Sequence, residues 1–138
     1  MPQSSKEEQK LLAMSPADYM NPQQLAFFQL RLQQDKQELL AHIDQLKAGL
    51  QWGDNQGDEA DKALREEELR LLLRQIDRES RLLPKIDAAL LRIRKGEYGY
   101  CLESGDPIGL PRLLLRPTAE LSIDVKMTHE MKEAAWRK

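Results

Sequence analysis

Two runs of apolar residues with a period of seven constrain this chain more than any other feature. Leu25, Leu32, Leu39 and Leu46 recur every seven positions, with Ile43 and Leu50 four residues after the last two. Leu69, Ile76, Leu83 and Leu90 repeat the pattern, with Leu72, Ile86 and Ile93 interleaved. A seven-residue repeat lays a narrow apolar seam along an α-helix, whereas a strand would need a period of two. Between the runs, WGDNQGDEAD supplies Gly53 and Gly57 for turn geometry and Asp54 and Asn55 as turn formers. Two long helices joined by so short a loop fold back as an antiparallel coiled-coil hairpin. The first arm would extend about 40 Å at the helical rise. Helix propensity alone would not hold such arms; burial of the two seams would. Composition agrees: 32% charged and 5% aromatic residues suit long helices with wet outer faces.

The helix ends are legible. Asn21 is a cap, Pro22 fits the first helical position, and Gln24 stands where a capping-box partner belongs. Asp58 caps the second helix, with acids in its first turn, and Gly96 ends it. Two residues disturb the second arm. Glu79 puts a charge on the seam, which sets register or opens the packing locally. Pro84 removes a helical hydrogen bond and is expected to kink the helix without breaking it, because the heptads keep phase on both sides.

The expected organisation is a mobile N-terminal arm over residues 1–20, with a short helical piece near Leu11, Leu12 and Met14. The hairpin occupies 21–96, with an acidic tip at about 53–63. A small Gly- and Pro-punctuated module follows over 97–138, ending in a helix that places Met127, Met131 and Ala134 or Ala135 on the module. The fold class is thus mainly α.

The module carries the outline of a four-ligand metal site without the ligands. Cys101 lies three residues before Ser104, and Ser122 three before Val125. Structural zinc needs four thiolate or imidazole donors. Cys101 with His129 would leave two missing, so zinc is not expected, and Val125, Ile108, Leu113, Leu115, Leu121 and Ile123 would supply apolar packing instead. A net charge of -2 gives no general affinity for phosphate backbones. A single cysteine allows no internal disulfide, and no segment approaches a membrane span, so a cytoplasmic protein is expected. The acids Asp54, Asp58, Glu59 and Asp61 do not match an EF-hand loop, and no nucleophile–base pair or phosphate-cradling loop suggests an enzyme.

Four separated stretches, YMN..QL, DEADKA, GEYGYC and RPTAELSIDVK, resemble the DksA/TraR family of bacterial transcription factors, from about Tyr19 to the end. The family's zinc cysteines fall on 101, 104, 122 and 125, so the chain resembles a zinc-independent branch. The resemblance implies a hairpin that enters the secondary channel of RNA polymerase and presents Asp58, Asp61 and Ala63 at its tip. It also implies a site for the alarmone ppGpp, shared with polymerase, at Arg78, Leu82, Lys85, Arg116 and Lys126; four cations are apt chemistry for a polyphosphate. The expected action is binding, without sequence-specific DNA contacts, by a monomer whose hairpin satisfies its own seam. The alternative from the residues alone is a structural coiled-coil adaptor for another helical partner.

Overall fold

The computed structural model describes residues 2–51 and 59–136. Six α-helices follow in order: α1 (Pro2–Leu12), α2 (Pro22–Ala48), α3 (Glu59–Ser80), α4 (Leu82–Lys95), α5 (Leu110–Leu115) and α6 (Ile123–Trp136). No strand occurs among the described residues; the only ladder-type contact is an isolated antiparallel bridge between Tyr100 and Pro107. None of the described helices is long and apolar enough to cross a membrane. The chain divides into two compact units. One holds residues Met1–Leu32 and Ala88–Lys138, the other Gln33–Asp87.

The second unit is the hairpin. Three cross-helix contacts fix its direction and register: Lys36 Nζ lies 2.7 Å from Asp87, His42 Nε2 3.6 Å from Glu79, and a Cβ on Gly49 would sit 3.1 Å from Leu72 Cδ2. As numbers rise along the first arm they fall along the second, so the arms are antiparallel. The seam is the one the heptads specify. Ile43 and Ile86 are buried, and Leu39, Leu46, Leu69, Leu72, Ile76 and Leu83 are half-buried.

Pro84 acts differently from the expected kink in a continuous helix. Regular helix is interrupted at Arg81, three residues before the proline, and restarts at Leu82. The proline cannot donate to the carbonyl of Ser80, and the backbone yields at the adjacent residue. Arg81 N–H still reaches Asp77 O at 3.2 Å, so a single residue absorbs the defect. Ile76, Glu79 and Leu83 are half-buried and Ile86 is buried, so the seam keeps its phase.

The first unit is built on Phe28, Leu32, Tyr98 and Leu113, each almost fully buried. Here the N-terminal segment carries a longer helix than the short piece expected near Leu11 and Leu12. Residues 2–12 form α1, which packs on α5 and buries Leu11 to 3% exposure. Its polar sequence concealed this because a single apolar residue does the anchoring. The termini of α2 and α4 follow the sequence. Gln24 N–H donates to Asn21 Oδ1 at 2.8 Å, and Gln24 Oε1 accepts from Met20 N–H at 2.8 Å, one residue before the cap. Gly96, at φ 76°, closes α4: its N–H bonds Ile93 O and Glu97 N–H bonds Arg92 O, the paired pattern of a left-handed glycine cap.

Two packing expectations are corrected. Leu115 is 88% exposed and Ile123 also faces solvent; Leu114 and Ala119 take the interior places instead. The terminal helix exists, but Met127 and Met131 are exposed and α6 buries no residue.

Candidate functional site

In the hairpin unit, Asp61 and Ala63 occupy the first turns of α3, and both are exposed. The first turn of a helix favours acids because its N–H groups are unpaired and its dipole is positive there. Asp58 lies outside the described residues, as do Gly53, Asp54, Asn55 and Gly57. Ala63 adds no bulk beyond a methyl group beside Asp61.

Arg78, Leu82 and Lys85 lie on the same unit, at i, i+4 and i+7 across the α3–α4 interruption, and all three are exposed. That spacing keeps them on one face. Arg116 and Lys126 belong to the other unit. Arg116 is exposed and closes α5 through its N–H bond to Arg112 O at 2.8 Å. Lys126 is half-buried on α6, with Nζ 3.8 Å from Glu130.

The positions that outline a metal site do other work. Cys101 is buried. Burial by itself pushes its thiol up, but the Ser104 hydroxyl and the N–H groups of Ser104, Ser122 and Glu103 outweigh this and hold the group at about 6. Ser104 Oγ accepts from Asp106 N–H at 3.3 Å, closing a local turn. Ser122 Oγ accepts from Val125 N–H at 3.4 Å, the geometry of a helix N-cap, and so starts α6. Val125 is half-buried and has no donor atom. One thiolate, two hydroxyls engaged with backbone and a valine do not fit tetrahedral zinc. No group of three His, Cys, Asp or Glu side chains among the described residues fits a metal either. The Cys101 loop is held by hydrogen bonds: Cys101 N–H to Asp106 O at 2.8 Å, Gly105 N–H to Cys101 O at 2.9 Å, and Leu102 N–H to Glu120 O at 2.9 Å. Arg112 Nε donates to Leu121 O, and Tyr98 OH donates to Pro117 O at 2.7 Å.

Sequence reasoning used YMN and GEYGYC as identifiers and missed what they do together. Tyr19 OH donates to Gly99 O at 2.6 Å and accepts from Gly109 N–H at 2.9 Å. Its ring meets Tyr100 edge-on at 5.6 Å. Burial pushes the Tyr19 phenol up, so it remains a donor at neutral pH. Gln24 is fully buried, and its Nε2 donates to Met14 Sδ at 3.3 Å. The available signal was an amide at a helix-start position followed by a core run, which marks a polar group that must be satisfied inside.

Residues 24–93 match the family described as DnaK suppressor protein DksA, N-terminal domain, and residues 96–130 match the prokaryotic dksA/traR C4-type zinc finger. The RNA polymerase-binding transcription factor DksA of Caulobacter vibrioides is 42% identical over 120 residues, covering 86% of this chain and 84% of that protein. The protein of the same name from Escherichia coli K12 is 39% identical over 117 residues, covering 84% and 78%. Among solved structures, transcription factor DksA2 from Pseudomonas aeruginosa superposes with a TM-score of 0.85 at 48% identity, covering 92% of this chain and 98% of that one.

Proposed function

We propose, on the premise that this chain belongs to the DksA/TraR family, that it is an RNA polymerase-binding regulator acting through the polymerase secondary channel. The observation that carries the reading is the hairpin itself: an antiparallel pair of arms with Asp61 exposed in the first turn of α3 and the small Ala63 two residues on. A carboxylate presented on such a stalk acts by charge. Near the polymerase's catalytic Mg²⁺ and substrate-binding elements it would shift the stability of promoter complexes without chemistry by this chain. Asp58 and Ala63 complete the proposed tip.

The proposed co-regulator is ppGpp, bound where this chain meets polymerase. Arg78 and Lys85 offer exposed cations on one helix face with Leu82 between them, and Arg116 and Lys126 add two more. Guanidinium groups suit phosphate oxygens through paired N–H donors, and lysines add point charge. The regulator is proposed to work without zinc; hydrogen bonds to Cys101 and the Ser122 cap support this. One chain per polymerase is the proposed stoichiometry.

The test is transcription in vitro from a ribosomal RNA promoter with purified bacterial polymerase and chelator, with and without ppGpp. The wild type is expected to inhibit, more deeply with ppGpp. Asp61→Asn keeps the size of the side chain and removes its charge; it should bind polymerase and fail to inhibit. Equal inhibition by both proteins would sink the tip mechanism.

A further inference from the structure

The two segments that a four-ligand metal would join are joined here by a pair of side chains outside the four positions. Residues 101–104 lie in the turn-rich loop, and 122–125 form the cap and first turn of α6. Glu103 stands inside the first segment. His129 stands one helical turn beyond the second. His129 Nε2 lies 2.8 Å from Glu103 Oε1 and 3.0 Å from Oε2. An imidazole with its proton on Nε2 donates to a carboxylate in either charge state.

The terminal helix depends on this pair. Val125 and Lys126 are half-buried, every residue from Met127 to Trp136 is exposed, and α6 buries none. No apolar side chain therefore locks the helix against the module. Its start is anchored: Ser122 Oγ caps it, Arg112 Nε donates to Leu121 O, and Leu102 N–H donates to Glu120 O. Further along, Thr128 bonds Asp124 O and Lys126 pairs with Glu130, both within the helix. Among the described residues, Glu103–His129 is the one polar side-chain contact between α6 and the rest of its unit. A helix held only at its first turn can swing about that end. A second contact at the next turn fixes its direction and its rotation. Lys126 lies three residues before His129, so the two are neighbours on the helix surface.

We infer that Glu103 and His129 are positioning residues for the proposed ppGpp site: the pair sets the angle at which α6 presents the Lys126 ammonium to a phosphate group. A lysine acts there as a point charge on a flexible stem, and its attraction falls with distance as the helix swings. The identity of the ligand rests on the proposed function; the docking of α6 does not.

Two readouts on the full chain separate docking from ligand. Amide hydrogen exchange over residues 127–136 follows α6 without polymerase. Glu103→Lys and His129→Glu each remove the pair at an exposed position. Each should speed exchange about two- to fivefold, the range that an exposed ion pair supports. The reversed pair, Glu103→Lys with His129→Glu, should return to the wild-type rate. In the transcription assay each single variant should raise the ppGpp concentration for half-maximal effect by a similar factor and leave inhibition without ppGpp unchanged. The reversed pair should again recover. Unchanged exchange in the single variants overturns the inference. Faster exchange with an unchanged ppGpp response overturns the positioning role and leaves the pair a structural contact only. A reversed pair that fails to recover overturns it too, since the single variants then act through something other than the pair. If the wild type itself ignores ppGpp, the regulatory reading falls and takes the ligand assignment with it, while the exchange rates still decide whether Glu103 and His129 hold α6.

Discussion

The hydroxyl of Tyr19 lies 2.6 Å from the carbonyl of Gly99 and 2.9 Å from the N–H of Gly109, joining the entry to α2 with the turn-rich module 80 and 90 residues later. Gly99 O also accepts from Ile108 N–H at 2.8 Å, so it keeps a partner if Tyr19 is changed; the Gly109 N–H does not. Tyr19→Phe should therefore leave one part-buried donor unsatisfied and cost about 1–3 kcal/mol. Urea unfolding would measure it. A loss below a few tenths would mean that water replaces the phenol freely.

Gly99 has a second reason to be glycine. Its φ is 95°, and a Cβ there would lie 2.6 Å from Met20 Sδ and 2.7 Å from Met20 Cγ. Met20 itself sits at φ 56°, a backbone conformation uncommon for a residue with a side chain. Gly99→Ala should destabilise the first unit by more than about 2 kcal/mol through strain and overlap together. Adding Met20→Ala should recover part of the loss. If the double variant is no more stable than the single, the overlap is not the cause.

These two contacts mark the limit of what could be read in the sequence. The hairpin was legible because a seven-residue repeat leaves few alternatives, and the Asn21 cap because its chemistry is local. Exposed Asp61 and Ala63 could be placed by their position at a helix start. Tyr19 bonding Gly99 was not legible, since nothing near Tyr19 in sequence signals a partner 80 residues away. Leu114 facing inward and Leu115 outward was equally hidden: in the six-residue α5 a run of three leucines has no period to assign a face. Leu11 could be placed on a short helical piece, but which of Leu11 and Leu12 is buried could not, because the helix before them is polar. Arg81, rather than Pro84, takes the helix defect because the proline's constraint falls on the residues before it.

Glu79 interrupts an otherwise apolar row and meets His42 at 3.6 Å, with 21% of its side chain exposed. A half-buried carboxylate facing one partially exposed imidazole gains little and loses hydration. Glu79→Leu completes the heptad and should stabilise the hairpin by about 1 kcal/mol. Thermal unfolding would check it, and a destabilised variant would show that the charge contributes more through the pair than leucine does through burial.

Ser122 tests whether hydrogen bonds do the structural work of a metal. Its Oγ caps α6 through Val125 N–H. Ser122→Ala should cost about 1 kcal/mol. Incubation with a strong chelator should leave the midpoint of thermal unfolding unchanged for both proteins. Elemental analysis showing stoichiometric zinc, or a chelator-induced loss of helix, would reverse the zinc-independent proposal.

Cys101 gives the sharpest pH dependence. Burial raises its thiol pKa, but the hydroxyl of Ser104 and three backbone N–H groups overcome that effect and lower it from 9.0 to about 6. A group whose pKa is depressed by folding stabilises the folded chain fully above its unfolded value. That contribution declines as pH falls from about 9 and is gone below about 6. Stability measured at several pH values in chelator should thus fall across this window in the wild type, and fall less in Cys101→Ala, whose own cavity cost does not vary with pH. Ser104→Ala removes one donor to sulfur and should move the thiolate absorbance midpoint upward. A folded-state midpoint near 9 in the wild type would show that the N–H groups around Cys101 do not stabilise its thiolate, and the difference in pH dependence between wild type and Cys101→Ala should then vanish.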